Sequence, residues 1–239
     1  MLLTQSESMT QYEIIQKWMT SSRFAEADRE CDALLKRLPA GGPWWAVYVT
    51  FLTFGCKGEA LFRLGTDLGG ASVCFEAMDE CFSSLGIFAN AEEQWARDAS
   101  ASHGKWFLQS AEILIRENRD IEMAAERSEP LIAAFRSLGQ HGLAQEARRV
   151  LAQARARTGD TVQADFFVEL DAATSARERG ESGQAQVHLH LAAKHARAVV
   201  EGVARAEMEF DLGDELGNHF DGHEREGLDH LLAASVMAR

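Results

Sequence analysis

One short phrase recurs along this chain: a glycine or serine, a few polar residues, an alanine, and then an apolar helical stripe. It is written Ser22-Arg23-Phe24-Ala25-Glu26-Ala27, Gly139-Gln140-His141-Gly142-Leu143-Ala144, Gly159-Asp160-Thr161-Val162-Gln163-Ala164 and Gly180-Glu181-Ser182-Gly183-Gln184-Ala185. The last three glycines stand 20 and 21 residues apart. That spacing leaves room for one helix of about five turns between successive turns. Two such helices make a hairpin within the ~34–45-residue period of stacked helical repeats. Such hairpins bury their apolar faces on the neighbours that precede and follow them, which presents a groove rather than a reaction centre.

The rest of the composition agrees with helices. The three prolines, Pro39, Pro43 and Pro130, are few for 239 residues, as expected when proline breaks helix interiors. No stretch alternates with period two, so strands are not expected. The net charge of -13 repels phosphate backbones and argues against nucleic acid as a partner. Cys31, Cys56, Cys74 and Cys81 form no CxxC pair. Cys74 and Cys81 are separated by ~10 Å of helical rise, too far for a disulfide. They read as reduced core residues of a cytoplasmic protein. The start, Met1-Leu2-Leu3-Thr4-Gln5-Ser6-Glu7, lacks the basic residues and long apolar run of a signal peptide. The most apolar region, Pro43 to Leu64, contains Lys57, Glu59 and Arg63. It is expected to be a buried helix rather than a membrane span.

Apolar spacing and turn residues predict a first helix from about Ser8 to Met19 and a second from Phe24 to Leu38. A third runs from Pro43 to Leu64, and a fourth from Ala71 to Leu85 after the Gly65–Gly70 turn. Ala91 to Asn118 reads as one helix or as two broken near Gly104. The next helix is capped by Asp120 and ends near Pro130 or runs through to Leu138. The three glycine phrases open helices at 141–157, 161–178 and 182–201. Glycines 202, 213, 217, 222 and 227 then interrupt the pattern, so about 202–239 reads as an irregular acidic capping segment ending in an amphipathic piece, Leu228 to Met237. No linker divides the chain, which reads as one domain over 1–239.

At Ile14-Ile15-x2-Trp18, followed by Ala27-x3-Cys31-x2-Leu34 and Pro39, the chain resembles a tetratricopeptide repeat. Ile15 and Cys31 stand where that family places a small residue and an aromatic. Ala71-x3-Phe75-x2-Met78, Gly159-Asp160-x3-Ala164-x3-Val168 and Ala185-x3-Leu189-x2-Ala192 resemble the second half of the repeat. The resemblance implies an all-α fold of ten or eleven antiparallel helices, stacked as a TPR-like α-solenoid whose concave face binds a protein or peptide. The function expected is a non-catalytic scaffold or adaptor with no cofactor. Trp45, Tyr48, Arg63, Trp106, Gln109 and Arg116 are the residues expected near the groove.

Two other readings stay open. A helical-repeat regulator would sense a peptide or signal. A metalloprotein would use Glu215, His219 and His223, which fall four residues apart on one helical face. Gly217 and Gly222 weaken the helix that this set needs, and HExxH is absent. His188, His190 and His195 read as a polar helix face. Trp44, Tyr48 and Phe51 share one face and read as core packing. No phosphate loop, GxSxG or paired nucleophile and base stands out.

Overall fold

The computed structural model describes residues 2–39, 42–86, 94–199, 203–219 and 224–237. Among these residues there are eleven helices and no strand. They are α1 (Gln5–Thr20), α2 (Phe24–Leu35), α3 (Trp44–Leu64), α4 (Leu68–Ser84), α5 (Gln94–Arg116), α6 (Ile121–Ser137), α7 (His141–Thr158), α8 (Thr161–Glu178), α9 (Ser182–Ala198), α10 (Val203–His219) and α11 (Glu224–Met237).

Helix starts differ from the sequence expectation where a cap extends the helix. α1 begins three residues earlier than Ser8 because Thr4 and Glu7 form a capping box: the Glu7 carboxylate accepts from the Thr4 backbone N–H at 2.9 Å. α4 begins at Leu68 because Asp67 accepts from the Gly70 N–H at 2.7 Å, so two glycines read as turn lie in its first turn. α2 stops at Leu35, and the Arg37 and Leu38 N–H groups both return to the Leu34 carbonyl, at 2.9 and 3.1 Å, in the turn before Pro39. α5 runs unbroken past Gly104, which is buried. α6 continues through Pro130 to Ser137.

The four instances of the recurring phrase share one backbone device, and Asn118 adds a fifth turn of the same kind that the phrase did not include. Ser22, Asn118, Gly139, Gly159 and Gly180 all have positive φ, between 54° and 88°. After each, the next residue donates its N–H five residues back: Arg23 to Trp18, Arg119 to Leu114, Gln140 to Phe135, Asp160 to Arg155 and Glu181 to Ala176, at 2.8 to 3.0 Å. This is the Schellman ending, which satisfies orphan carbonyls of one helix and turns the chain into the next.

Two compact units divide the chain, and their boundary runs through α6. Met1–Arg119 clusters with Ala133–Leu143, and Asp120–Ile132 with Ala144–Arg239. In the first unit, α3 packs against α1, α2, α4 and α5. Its core is built from large side chains, including Phe51, Phe75, Phe82 and Trp106. In the second unit α8 packs on α9, α9 on α10, and α10 on α11. Its core is rich in alanine: Ala147, Ala154, Ala173, Ala176, Ala185, Ala192 and Ala196 are fully buried around Phe166, Leu151 and Leu170. Small side chains let helix axes approach closely.

The stretch read as irregular therefore holds two helices. Gly213 and Gly217 lie in α10 and face Gly227 of α11. A Cβ on Gly227 would sit 2.6 Å from the Gly217 nitrogen and 2.8 Å from the Gly213 carbonyl oxygen. These glycines are contact points between two helices, not interruptions, and the stability lost to their flexibility is offset by the close crossing.

Candidate functional site

In the first unit, every second helix turns one face towards a groove of about 440 Å³. α1 contributes Tyr12, Gln16 and Met19, α3 contributes Cys56, Glu59 and Arg63, and α5 contributes Ser102, Lys105 and Trp106. Within each set residues recur at three, four or seven, the intervals that share a helical face, and Trp106 stands next to Lys105. Thr20, Ser22 and Phe24, at the turn between α1 and α2, close one end. The volume lies within the ~300–1,000 Å³ of ligand-binding clefts.

Glu59 is the electrostatic centre of the groove. It is buried within the most apolar helix. Lys105 donates to both of its carboxylate oxygens at 2.8 and 2.9 Å, and the Trp106 indole N–H donates at 3.1 Å. Burial works to raise the Glu59 pKa, but the Lys105 charge and the hydrogen bonds from Lys105 and Trp106 prevail and hold it below its ordinary value. Trp106 reaches Glu59 because Gly55 leaves a notch for it: any Cβ at Gly55 would overlap the indole ring. Arg63, half exposed at the rim, approaches Glu59 no closer than 3.8 Å.

A second polar group lies beside it. The Gln16 side-chain N–H donates to the Tyr12 hydroxyl at 2.6 Å and lies 3.0 Å from the Cys56 sulfur. Burial pushes the Cys56 thiol up to about 12, so it stays protonated at neutral pH and is a poor nucleophile. Burial also pushes the Tyr12 phenol well above its ordinary value.

Of the residues expected near a groove, Arg63 and Trp106 line this one. Trp106 is buried, with 4% of its surface exposed, and acts as a wall rather than a displayed anchor. Gln109 is equally buried, and Arg116 lies over the Phe62 ring at 4.2 Å, beside Glu112. Neither Gln109 nor Arg116 is among the groove's lining residues. Trp45 is partly buried against the core. Tyr48 is not among the lining residues; it is stacked on the half-exposed Trp44 at 5.3 Å with Trp95 edge-on to both, and Phe51 lies between it and Trp106, 6.1 and 5.6 Å from the two rings. Tyr12, Gln16, Glu59 and Lys105 were not among the expected site residues. The one signal for Glu59, shared with Lys57 and Arg63, is that a charge in a helix apolar nearly all round needs a partner.

In the second unit His188 pairs with Glu169 at 2.7 Å, joining α9 to α8. His190 lies apart from it, at a smaller cavity of about 240 Å³ with Leu189, Ala193, Arg197 and Leu216. Of the metal candidates, the backbones of Glu215 and His219 belong to α10, while their side chains and the whole of His223 lie outside the described residues. Among the described residues no three His, Cys, Asp or Glu side chains are placed to hold a metal ion, and no helix is long and apolar enough to cross a membrane. In comparisons with known proteins, no family model, no curated protein and no solved structure matches the chain.

Proposed function

We propose that this chain is a non-catalytic scaffold or adaptor whose groove on α1, α3 and α5 holds a segment of a protein or peptide partner. In this reading the hairpins are tetratricopeptide-like and stack as an α-solenoid. Their leading helices form the binding face. The observation that carries the reading is the alternation itself: α1, α3 and α5, alternate helices of the first unit, each supply a face to one cleft. The five identical Schellman turns support a repeated hairpin as the building unit.

The chemistry of the groove favours binding over reaction. Its thiol is held protonated and its buried carboxylate is engaged by Lys105 and Trp106. What remains is shape, an apolar wall from Met19 and Phe24, and a polar rim. The acidic total disfavours a nucleic-acid partner. Buried free thiols at Cys31, Cys56 and Cys74 support a reducing, cytoplasmic setting.

The test is an immobilised array of twelve-residue peptides probed with the purified chain. The expected result is a captured subset that is lost in Thr20→Trp. Thr20 is an exposed rim residue, so a large side chain there obstructs the groove without entering the core, and far-ultraviolet circular dichroism stays unchanged. Capture of no peptide, or capture indifferent to Thr20→Trp, would overturn the proposal.

A further inference from the structure

We infer that the segment this groove accepts is acidic, seating a side-chain carboxylate on Arg63 and an apolar residue against Met19 and Phe24. This rests on the binding role proposed above and adds the chemistry of the partner.

Among the described residues, three charged side chains line the groove: Glu59, Arg63 and Lys105. Glu59 and Lys105 neutralise each other through two short hydrogen bonds. Among the described residues, Arg63 is left with one loose approach to Glu59 at 3.8 Å. A guanidinium carries five N–H donors in a planar fork that matches a carboxylate bidentately. Its side chain is 50% exposed at the rim, so a carboxylate reaches it without displacing protein. The groove therefore presents one net positive charge in a chain whose total is -13.

That contrast directs the partner. An acidic segment is repelled by most of this chain and attracted to Arg63, where the low-dielectric walls of a cleft focus the field. A basic segment meets the opposite arrangement: Glu59 is already engaged by Lys105, and Arg63 repels it. Met19 and Phe24 are partly buried against the core and leave apolar surface facing the cleft beside Arg63. The matching sequence is a leucine-like residue flanked by glutamate or aspartate.

The probe is a matched set of twelve-residue peptides, acetylated and amidated so that side chains carry all the charge. In one, leucine is flanked by glutamate; in the others, by glutamine or by lysine. Binding is read by fluorescence anisotropy of a label on the peptide. The glutamate peptide is expected to bind at least tenfold more tightly than the glutamine peptide, and the gap to narrow as salt rises. Arg63→Gln is expected to abolish the gap. Arg116→Gln, an equally exposed arginine outside the groove, is expected to preserve it. Equal binding of the glutamate and glutamine peptides, preference for lysine, or a preference that survives Arg63→Gln would overturn this inference and leave the scaffold reading standing. Failure of every peptide, together with an empty array, would remove both.

Discussion

At the scale of single residues, the groove depends on a glycine. Gly55 has no side chain, and the space is filled by the Trp106 indole, whose N–H donates to Glu59 at 3.1 Å. Gly183, in α9, has nothing within 4 Å of the position a Cβ would take. The same substitution should therefore have opposite signs at the two sites. Alanine in a helix gains ~1 kcal/mol over glycine from backbone entropy. At Gly183 little opposes that gain, and Gly183→Ala is expected to stabilise by ~0.5–1 kcal/mol. At Gly55 the ring must move, overpacking costs ~1–3 kcal/mol, and the Trp106–Glu59 bond goes with it. Gly55→Ala is expected to be destabilising on balance. Urea titrations of the two variants check this, and a neutral or stabilising Gly55→Ala would show that the indole does not fill that notch. Glu59 stood in the sequence beside Lys57 and Arg63 as one of three charges in an apolar helix, with nothing to single it out. Its partners were not legible, because Lys105 and Trp106 lie 46 and 47 residues away and no local spacing links them.

At the scale of elements, helices are joined by a turn that demands a left-handed residue, and single polar ties pin neighbouring helices. Lys57 bridges α3 to Asp28 and Asp32 of α2, and His103 joins α5 to Asp79 of α4. Gln145 reaches Ser175 from α7 to α8, and His230 holds Glu209 between α11 and α10. At the turns, three of the five positive-φ positions are glycine, while Ser22, at φ 56°, is a non-glycine residue in the same conformation. A side chain there costs ~1–2 kcal/mol. Ser22→Gly is expected to recover up to ~1 kcal/mol of it, and Gly159→Ala, at φ 88°, to lose about as much as Ser22 now forgoes. Thermal melts of the two variants decide the matter: the melting temperature should rise for the first and fall for the second. The turns at 139, 159 and 180 were legible because glycine itself announces a positive φ. The α10–α11 crossing was not, because glycine serves turns and close contacts alike and only the facing helix tells them apart.

At the scale of the whole molecule, the two units differ in what fills them, aromatic rings in one and alanine contacts in the other. All five tryptophans, at 18, 44, 45, 95 and 106, belong to the first unit, so tryptophan emission reports that unit alone. Burial raises the thiols of Cys56 to about 12 and Cys74 to about 11, from an ordinary 9, and raises the Tyr12 phenol further. The folded unit retains these protons where the unfolded chain releases them. Stability is therefore fully present below pH 9 and declines as pH rises from about 9 towards 12. The urea midpoint followed by tryptophan emission is expected to drop between pH 8 and pH 10.5, less so in Cys56→Ala; a midpoint unchanged across that interval would contradict the burial of these groups. The amino-acid order alone settled the all-helical class and the turns at Ser22, Gly139, Gly159 and Gly180, because a helix period and a left-handed turn act over four or five residues. Which faces meet, which glycine admits a ring, and that Arg63 borders a groove while Gln109 is buried were decided by packing. Those outcomes depend on every neighbouring helix at once, and no stretch of chain carries that information by itself.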